Sequence, residues 1–238
     1  MCVGAFPNNS ASGVAVSGSY AYLVGDFYGL TIIDVSDPTN PIAVGRYYTH
    51  EGAYDVAVRG DYAYLASSSM GFLVIDVSDP TRPVRVGGTS PFASMRSLVT
   101  AWPYALVTEL DAGVEIFDVS NPTAPTHVGR YSSVEYKLNV AVSGNYACLA
   151  DDWNGLLLVD FSNPASPIRV NGFNTIGTSY GLTMGDNYVY VAAGESGFHV
   201  VDISDPAQPV RTGRFDTVHH ARDTVLVSNL AYVTRGCT

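Results

Sequence analysis

The stretch GFLVIDVSDPTRP, residues 71–83, sets a compact apolar run against a tail of Asp, Ser, Asp and Pro. Read alone it is either a piece of active-site chemistry or one tile of a larger structure. The rest of the chain decides, because the pattern returns as LTIIDVSDPTNP at 30–41, VEIFDVSNPTAP at 114–125, LLLVDFSNPASP at 156–167 and FHVVDISDPAQP at 198–209. The first Asp of each copy is Asp34, Asp76, Asp118, Asp160 or Asp202, so every interval is 42 residues with no insertion or deletion. A fixed period of this length is the mark of a repeat architecture.

Other columns keep the same beat. Gly29, Gly71, Gly113, Gly155 and Gly197 open the apolar run, and Pro38, Pro80, Pro122, Pro164 and Pro206 close it, each followed by a second proline three residues on. Two further strand-like runs precede each glycine, as in GVAVSGSYAYLVG at 13–25 and YDVAVRGDYAYLAS at 54–67, and a short VGRYY-like segment follows each proline pair. The runs are short, rich in Val, Ile, Leu, Tyr and Phe, and bounded by Gly, Ser, Asp, Asn and Pro. None holds a helical apolar period for three turns. Hairpin turns carry glycine for its access to positive φ, and the prolines hold the residue before them extended.

Four short antiparallel strands per repeat of about this length predict an all-β chain, a β-propeller of four-stranded blades. The third strand is apolar at consecutive positions, which fits a blade covered on both faces, so the positive mean hydropathy of +0.13 needs no membrane. The motif resembles the LVIVD repeat family, through LVIDV at 73–77 and LLVDF at 157–161 and through five copies spanning nearly the whole chain. The resemblance implies a propeller of the kind found in secreted or surface-attached bacterial and archaeal proteins. It implies no shared reaction.

Composition bounds the function classes. The 238 residues form one expected domain with no linker-like break. The formal charge is −10, with 22 acidic residues against 12 basic and Lys137 the single lysine, which disfavours nucleic acid as a partner. Low Lys with abundant Tyr, Thr, Ser and Asn suits an extracellular or cell-surface protein. MCVGAFPNNS lacks a basic start and an apolar core, so a leader is expected to lie outside this chain, or else the protein is cytoplasmic. No apolar run is long enough to cross a membrane as a helix. Cys2, Cys148 and Cys237 are too few for a disulfide framework and too scattered for zinc; Cys148 takes the column of Tyr22, Tyr64 and Tyr190 and reads as a small buried apolar residue. No cofactor and no metal are expected.

The repeated carboxylates read as structure, since a catalytic site is made once and these recur in every copy. Asp and Ser are expected to cap the turns. GTSYG at 177–181 matches the nucleophile-elbow pattern at Ser179, but lies between strands with no helix to follow. His219 and His220 are adjacent and so face opposite ways, and DDWNG at 151–155 lacks the full calcium-loop pattern. His199 stands in a third-strand column with Thr31, Leu73, Glu115 and Leu157, read as a tolerant, packed or half-exposed position.

If repeated positions build the scaffold, function is expected where the copies disagree. They disagree in the connection between second and third strands and in the connection between repeats, which emerge at the same end of a four-stranded antiparallel blade. There one column holds Tyr54, Arg96, Leu138, Tyr180 and Arg222, and the next holds Asp55, Ser97, Asn139, Gly181 and Asp223. With His220 and Trp153 these are the candidate ligand-binding residues at the mouth of the channel: arginines for carboxylate or sulfate, oriented by Asp55 and Asp223, and tyrosine faces for sugar or peptide stacking. The expected function is a non-catalytic scaffold binding protein or glycan; the alternative is a carbohydrate-active hydrolase or lyase. Val3–Phe6 match a fourth strand and Val225–Thr234 match the first two, so a sixth blade without its third strand is expected, in an imperfectly closed ring or a fragment of a longer protein. Cys2 and Cys237 are expected to be unbonded.

Overall fold

The computed structural model describes residues 5, 11–25, 29–89, 94–110, 113–132, 137–151, 155–175 and 177–236. Among them there is no helix, and so none long and apolar enough to cross a membrane.

The strands fall into sheets that follow the repeat. The first sheet is β1 (Gly13–Ser17), β2 (Tyr20–Gly25), β3 (Gly29–Asp34) and β4 (Ile42–Tyr47); the second is β5 (Ala53–Arg59), β6 (Tyr62–Ser67), β7 (Gly71–Asp76) and β8 (Val84–Gly88). The third is β9 (Met95–Ala101), β10 (Tyr104–Glu109), β11 (Gly113–Asp118) and β12 (Thr126–Ser132), and the fourth β13 (Lys137–Ser143), β14 (Tyr146–Asp151), β15 (Gly155–Asp160) and β16 (Ile168–Phe173). The fifth is β17 (Gly181–Gly185), β18 (Tyr188–Ala192), β19 (Phe198–Asp202) and β20 (Val210–Phe215). A two-stranded sheet, β21 (Ala221–Val227) with β22 (Leu230–Arg235), follows. Strands pair in sequence order within each sheet, the order of a propeller blade.

The opening stretch is one tile of this structure. Asp34, Asp76, Asp118, Asp160 and Asp202 each accept a hydrogen bond from the backbone N–H of the Ser two residues on, at 2.7–2.9 Å. A second cap follows, in which Asp37, Asp79 and Asn121 accept from Thr39, Thr81 and Thr123. These bonds, led in most copies by the Ser or Thr hydroxyl, hold the Asp34, Asp37, Asp76, Asp79, Asp118 and Asp202 carboxyls below the usual range.

The D-P turn also docks on the preceding blade. A Cβ on Gly45, Gly87 or Gly129 would fall about 2 Å from the carbonyl oxygen of Pro80, Pro122 or Pro164, so the fourth strand has no room for a side chain there. Where Asn171 takes the column, its Nδ2 donates to the Ala207 carbonyl. The glycine opening each third strand answers a different demand: φ is +65° at Gly29 and +85° at Gly155, the left-handed region, with the fourth-strand carbonyl of Tyr47 or Phe173 where a Cβ would be.

The chain divides into two compact units, Met1–Val107 with Phe117–His127, and Thr108–Ile116 with Val128–Thr238. In the first, β7 explains why a third strand is apolar at every position. Leu73 and Ile75 enter a cluster with Val24, Ile32 and Val56, while Phe72 and Val74 enter another with Met95, Val107 and Phe117. A strand's alternation thus feeds two cores, one on each face. Phe72 stacks on Phe117 at 4.9 Å between ring centroids. In the second unit Leu156 and Leu158 pack with Leu182, Val189 and Val191 around Cys148, whose thiol is buried and pushed up to about 12.

Candidate ligand-binding site

The variable column sits on irregularities in the strands. The β5–β6 register skips Tyr54, and the β21–β22 register skips Arg222. A bulge leaves its residue outside the ladder and re-aims its side chain. The column then joins in pairs: the Arg96 guanidinium lies 4.2 Å from the Tyr54 ring centre, and that of Arg222 lies 4.3 Å from the Tyr180 ring centre. Each arginine comes one repeat after its tyrosine. Stacking on the ring leaves the in-plane N–H groups of the guanidinium available to an anion, and Arg96 Nε is buried with no hydrogen-bond acceptor among the described residues.

Asp55 and Asp223 bond to strand N–H and hydroxyl groups beside the arginines. Asp55 Oδ2 accepts from Ser97 Oγ and from the Leu98 backbone N–H, both at 2.9 Å, and its Oδ1 accepts from the Val56 N–H. Asp223 Oδ1 accepts from the Thr224 N–H at 2.8 Å. Its carboxyl is raised above the usual range by partial burial, although the residue as a whole faces solvent. The tyrosine faces, expected to stack a ligand, each carry an arginine.

In the second unit this column borders a cleft of about 300 Å³ lined by Gly177, Thr178, Tyr180, Gly194, Glu195 and His220. Gly194 and Ala221 form an antiparallel bridge with both N–H···O bonds at 3.1 Å. Antiparallel register then sets Glu195 opposite His220, whose Nε2 lies 3.5 Å from Glu195 Oε1. Both side chains are substantially exposed, so the pair is loosely held and open to a ligand. Ser179 is buried under the same loop and hydrogen-bonds to Thr175 Oγ1 at 2.9 Å, and Thr175 donates to the Gly177 carbonyl. It fixes the loop from below, with a strand following and no helix.

Tyr54, Asp55 and Arg96 therefore come together in one unit, and Tyr180, His220, Arg222 and Asp223 in the other. Trp153, Cys2 and Cys237 lie outside the described residues, as does most of DDWNG. Two features escaped the sequence reading. Glu195 was not singled out, because its partner is set by a bridge outside any regular strand. Glu109 and Glu115 are both buried and share Arg130, at 3.1 and 3.0 Å. Burial first, and then the Glu115 charge, push the Glu109 carboxyl up.

A family model described as LVIVD repeat matches residues 9–49, 52–89, 103–133, 137–175 and 176–217. Among solved structures the chain is similar to the computationally designed Ika8 protein, with a TM-score of 0.75 at 8% identity over 94% of this chain and 68% of that one. It is similar to a functionally unknown protein from Desulfotomaculum acetoxidans, with a TM-score of 0.74 at 12% identity over 87% and 69%, and to a chain of a nidogen/laminin complex, with a TM-score of 0.63 at 11% identity over 90% and 83%. Likeness at such identities carries the fold alone. No curated protein matches the chain in sequence.

Proposed function

Because this chain belongs to the LVIVD repeat family, a scaffold of repeated blades, we propose that it is a non-catalytic interaction module, secreted or displayed at the cell surface, that binds a protein or glycan through the variable loop ends of its blades. The observation that carries the reading is the Tyr180–Glu195–His220 cleft with Arg222 stacked on Tyr180. Arg222 is held flat against the Tyr180 ring, with planar donors that suit a carboxylate or sulfate. Tyr54 and Arg96 repeat the same pair in the other unit. A chain with one lysine in a net charge of −10 concentrates its capacity for anions in such arginines.

The test is a screen of acidic glycans and acidic peptides against the native protein, Arg222→Ala, Arg96→Ala and the double variant, with thermal melting to confirm folding. The reading expects a tenfold or greater loss of affinity in the variant whose pair binds the ligand. Retention within about twofold, roughly 0.4 kcal/mol, in the double variant overturns it. The His220–Glu195 pair beside Tyr180 also supports a second reading as a hydrolase or lyase. Polysaccharide cleavage that His220→Ala abolishes while binding persists would establish that reading instead.

A further inference from the structure

At the blade end opposite the variable loops, a tight hairpin joins the first strand of each sheet to the second. The residue that opens the turn is Gly18, Gly60, Gly144, Asp186 or Ser228, each at a φ between +51° and +57°. The hairpin between β9 and β10 departs from that rule. It carries Trp102 and Pro103, with no positive φ, and leaves the Trp102 side chain 48% exposed. The flanking tips are bare: a Cβ on Gly18, Gly60 or Gly144 would meet no atom within 4 Å.

Trp102 is joined from the preceding blade by Arg59, whose guanidinium lies 4.8 Å from the ring centre. The second unit shows what the scaffold needs at that contact. Positions 143 and 186 stand two repeats after 59 and 102, and there Ser143 Oγ donates to the Asp186 carbonyl at 3.2 Å. One serine hydroxyl is enough to link two tips. An arginine flat on a half-exposed indole exceeds that requirement, on a face where the other copies carry small turn residues. Asp61 is exposed at the same tip as Arg59.

We propose that Arg59, Asp61 and Trp102 form a second binding site, separate from the loop-end cleft, for a glycan whose uronate rings are spaced by neutral sugars. The in-plane N–H groups of Arg59 suit the uronate carboxylate, and the uncovered indole surface suits the apolar C–H face of a sugar ring. Asp61 offers acceptors to sugar hydroxyls. The same carboxylate, in a chain of net charge −10, opposes densely anionic ligands such as sulfated glycans or acidic peptides.

The probe is a tetrasaccharide of glucuronate alternating with N-acetylglucosamine, titrated into the full chain by ligand-observed NMR beside its methyl ester and an acidic peptide. Saturable binding of the acid form alone is expected. Arg59→Ser, and Trp102→Gly with Pro103→Asn, give the two tips the residues of the Ser143–Gly144–Asn145 turn, so the fold is kept. Each is expected to weaken binding about tenfold or more, whereas Arg96→Ala with Arg222→Ala at the loop ends is expected to change it less than about twofold. Arg59→Ser decides alone if the hairpin exchange melts early. Absence of saturable binding, equal binding of the ester or of the peptide, native affinity in a folded tip variant, or loss of affinity in the loop-end double variant overturns the proposal.

Discussion

Ser97 Oγ donates to Asp55 Oδ2 at 2.9 Å, joining two residues that stand one full repeat apart in the same column. The same carboxylate oxygen accepts the Leu98 N–H, so one side chain ties the first strand of one blade to that of the next. The column allows it because Gly13 stands before Asp55: a Cβ on Gly13 would come within 3.1 Å of the Asp55 carboxylate. Gly181 stands before Asp223 in the same way, with its Cβ position 2.5 Å from Asp223 Oδ1. Asp55→Ala leaves the Leu98 N–H and the Ser97 hydroxyl without their acceptor and is expected to cost about 1–3 kcal/mol in urea unfolding. Ser97→Ala, which keeps the backbone bond, is expected to cost less. Equal effects would show that the backbone contact contributes nothing.

Gly87→Ala tests the docking of the D-P turn. The added methyl would meet the Pro122 carbonyl at 2.2 Å, a backbone atom that cannot turn aside. The expected loss is about 1–3 kcal/mol. Gly60→Ala is the contrast, because its Cβ has open space and the cost comes only from a φ of +57°. A loss at position 87 no greater than at position 60 would remove the steric account.

The turn carboxylates set the acid limit of stability. Their folded-state pKa values are depressed by hydrogen bonds from the following Ser or Thr, so their contribution is present above the ordinary Asp range and lost as pH falls through the folded values. Melting temperature is expected to drop on acidification below about pH 4. An Asp76→Asn variant, which keeps an acceptor oxygen without the titration, is expected to melt lower than the native protein at pH 7 and to converge with it in acid. A constant difference across that range would contradict the assignment.

The blades were legible in the sequence because their causes are local and repeat: the glycine at positive φ, the apolar run, the Asp-Ser cap and the proline pair occur in the same order each time. Pairing across columns was less legible. Position 199 and its equivalents read as tolerant when taken alone, yet the structure pairs them with a fourth-strand column. Thr31 lies opposite Arg46, His199 opposite Arg214, and Glu115 is bonded to Arg130, whereas Leu73 lies opposite Gly88 and Leu157 opposite Gly172. A polar third-strand residue accompanies an arginine and a leucine accompanies a glycine, a correlation visible in the sequence only to a reader who already has the register. The column of Tyr54, Arg96, Tyr180 and Arg222 was found, but its internal contacts were not. Which charge reaches which partner depends on bulges at Tyr54 and Arg222 that no residue pattern announces.

The buried Glu109, Glu115 and Arg130 cluster gives the opposite pH dependence from the turns. Glu109 has a raised folded-state pKa, from burial and from the neighbouring Glu115 charge, so the stability of its protonated form is fully present below the ordinary Glu value and lost as pH rises through the folded one. Arg130 offsets part of this, through contacts at 3.1 Å to Glu109 and 3.0 Å to Glu115. Glu109→Gln removes the titration while an amide can still donate to Glu115, and is expected to raise stability at pH 8 more than at pH 4.5. Arg130→Ala leaves two buried carboxylates facing each other and is expected to cost about 3–5 kcal/mol at pH 8, with the loss shrinking on acidification. Melting curves of the native protein and both variants between pH 4.5 and 8 decide the matter: a Glu109→Gln profile parallel to the native one would mean that Glu109 does not titrate in this range and that Arg130 alone balances both carboxylates.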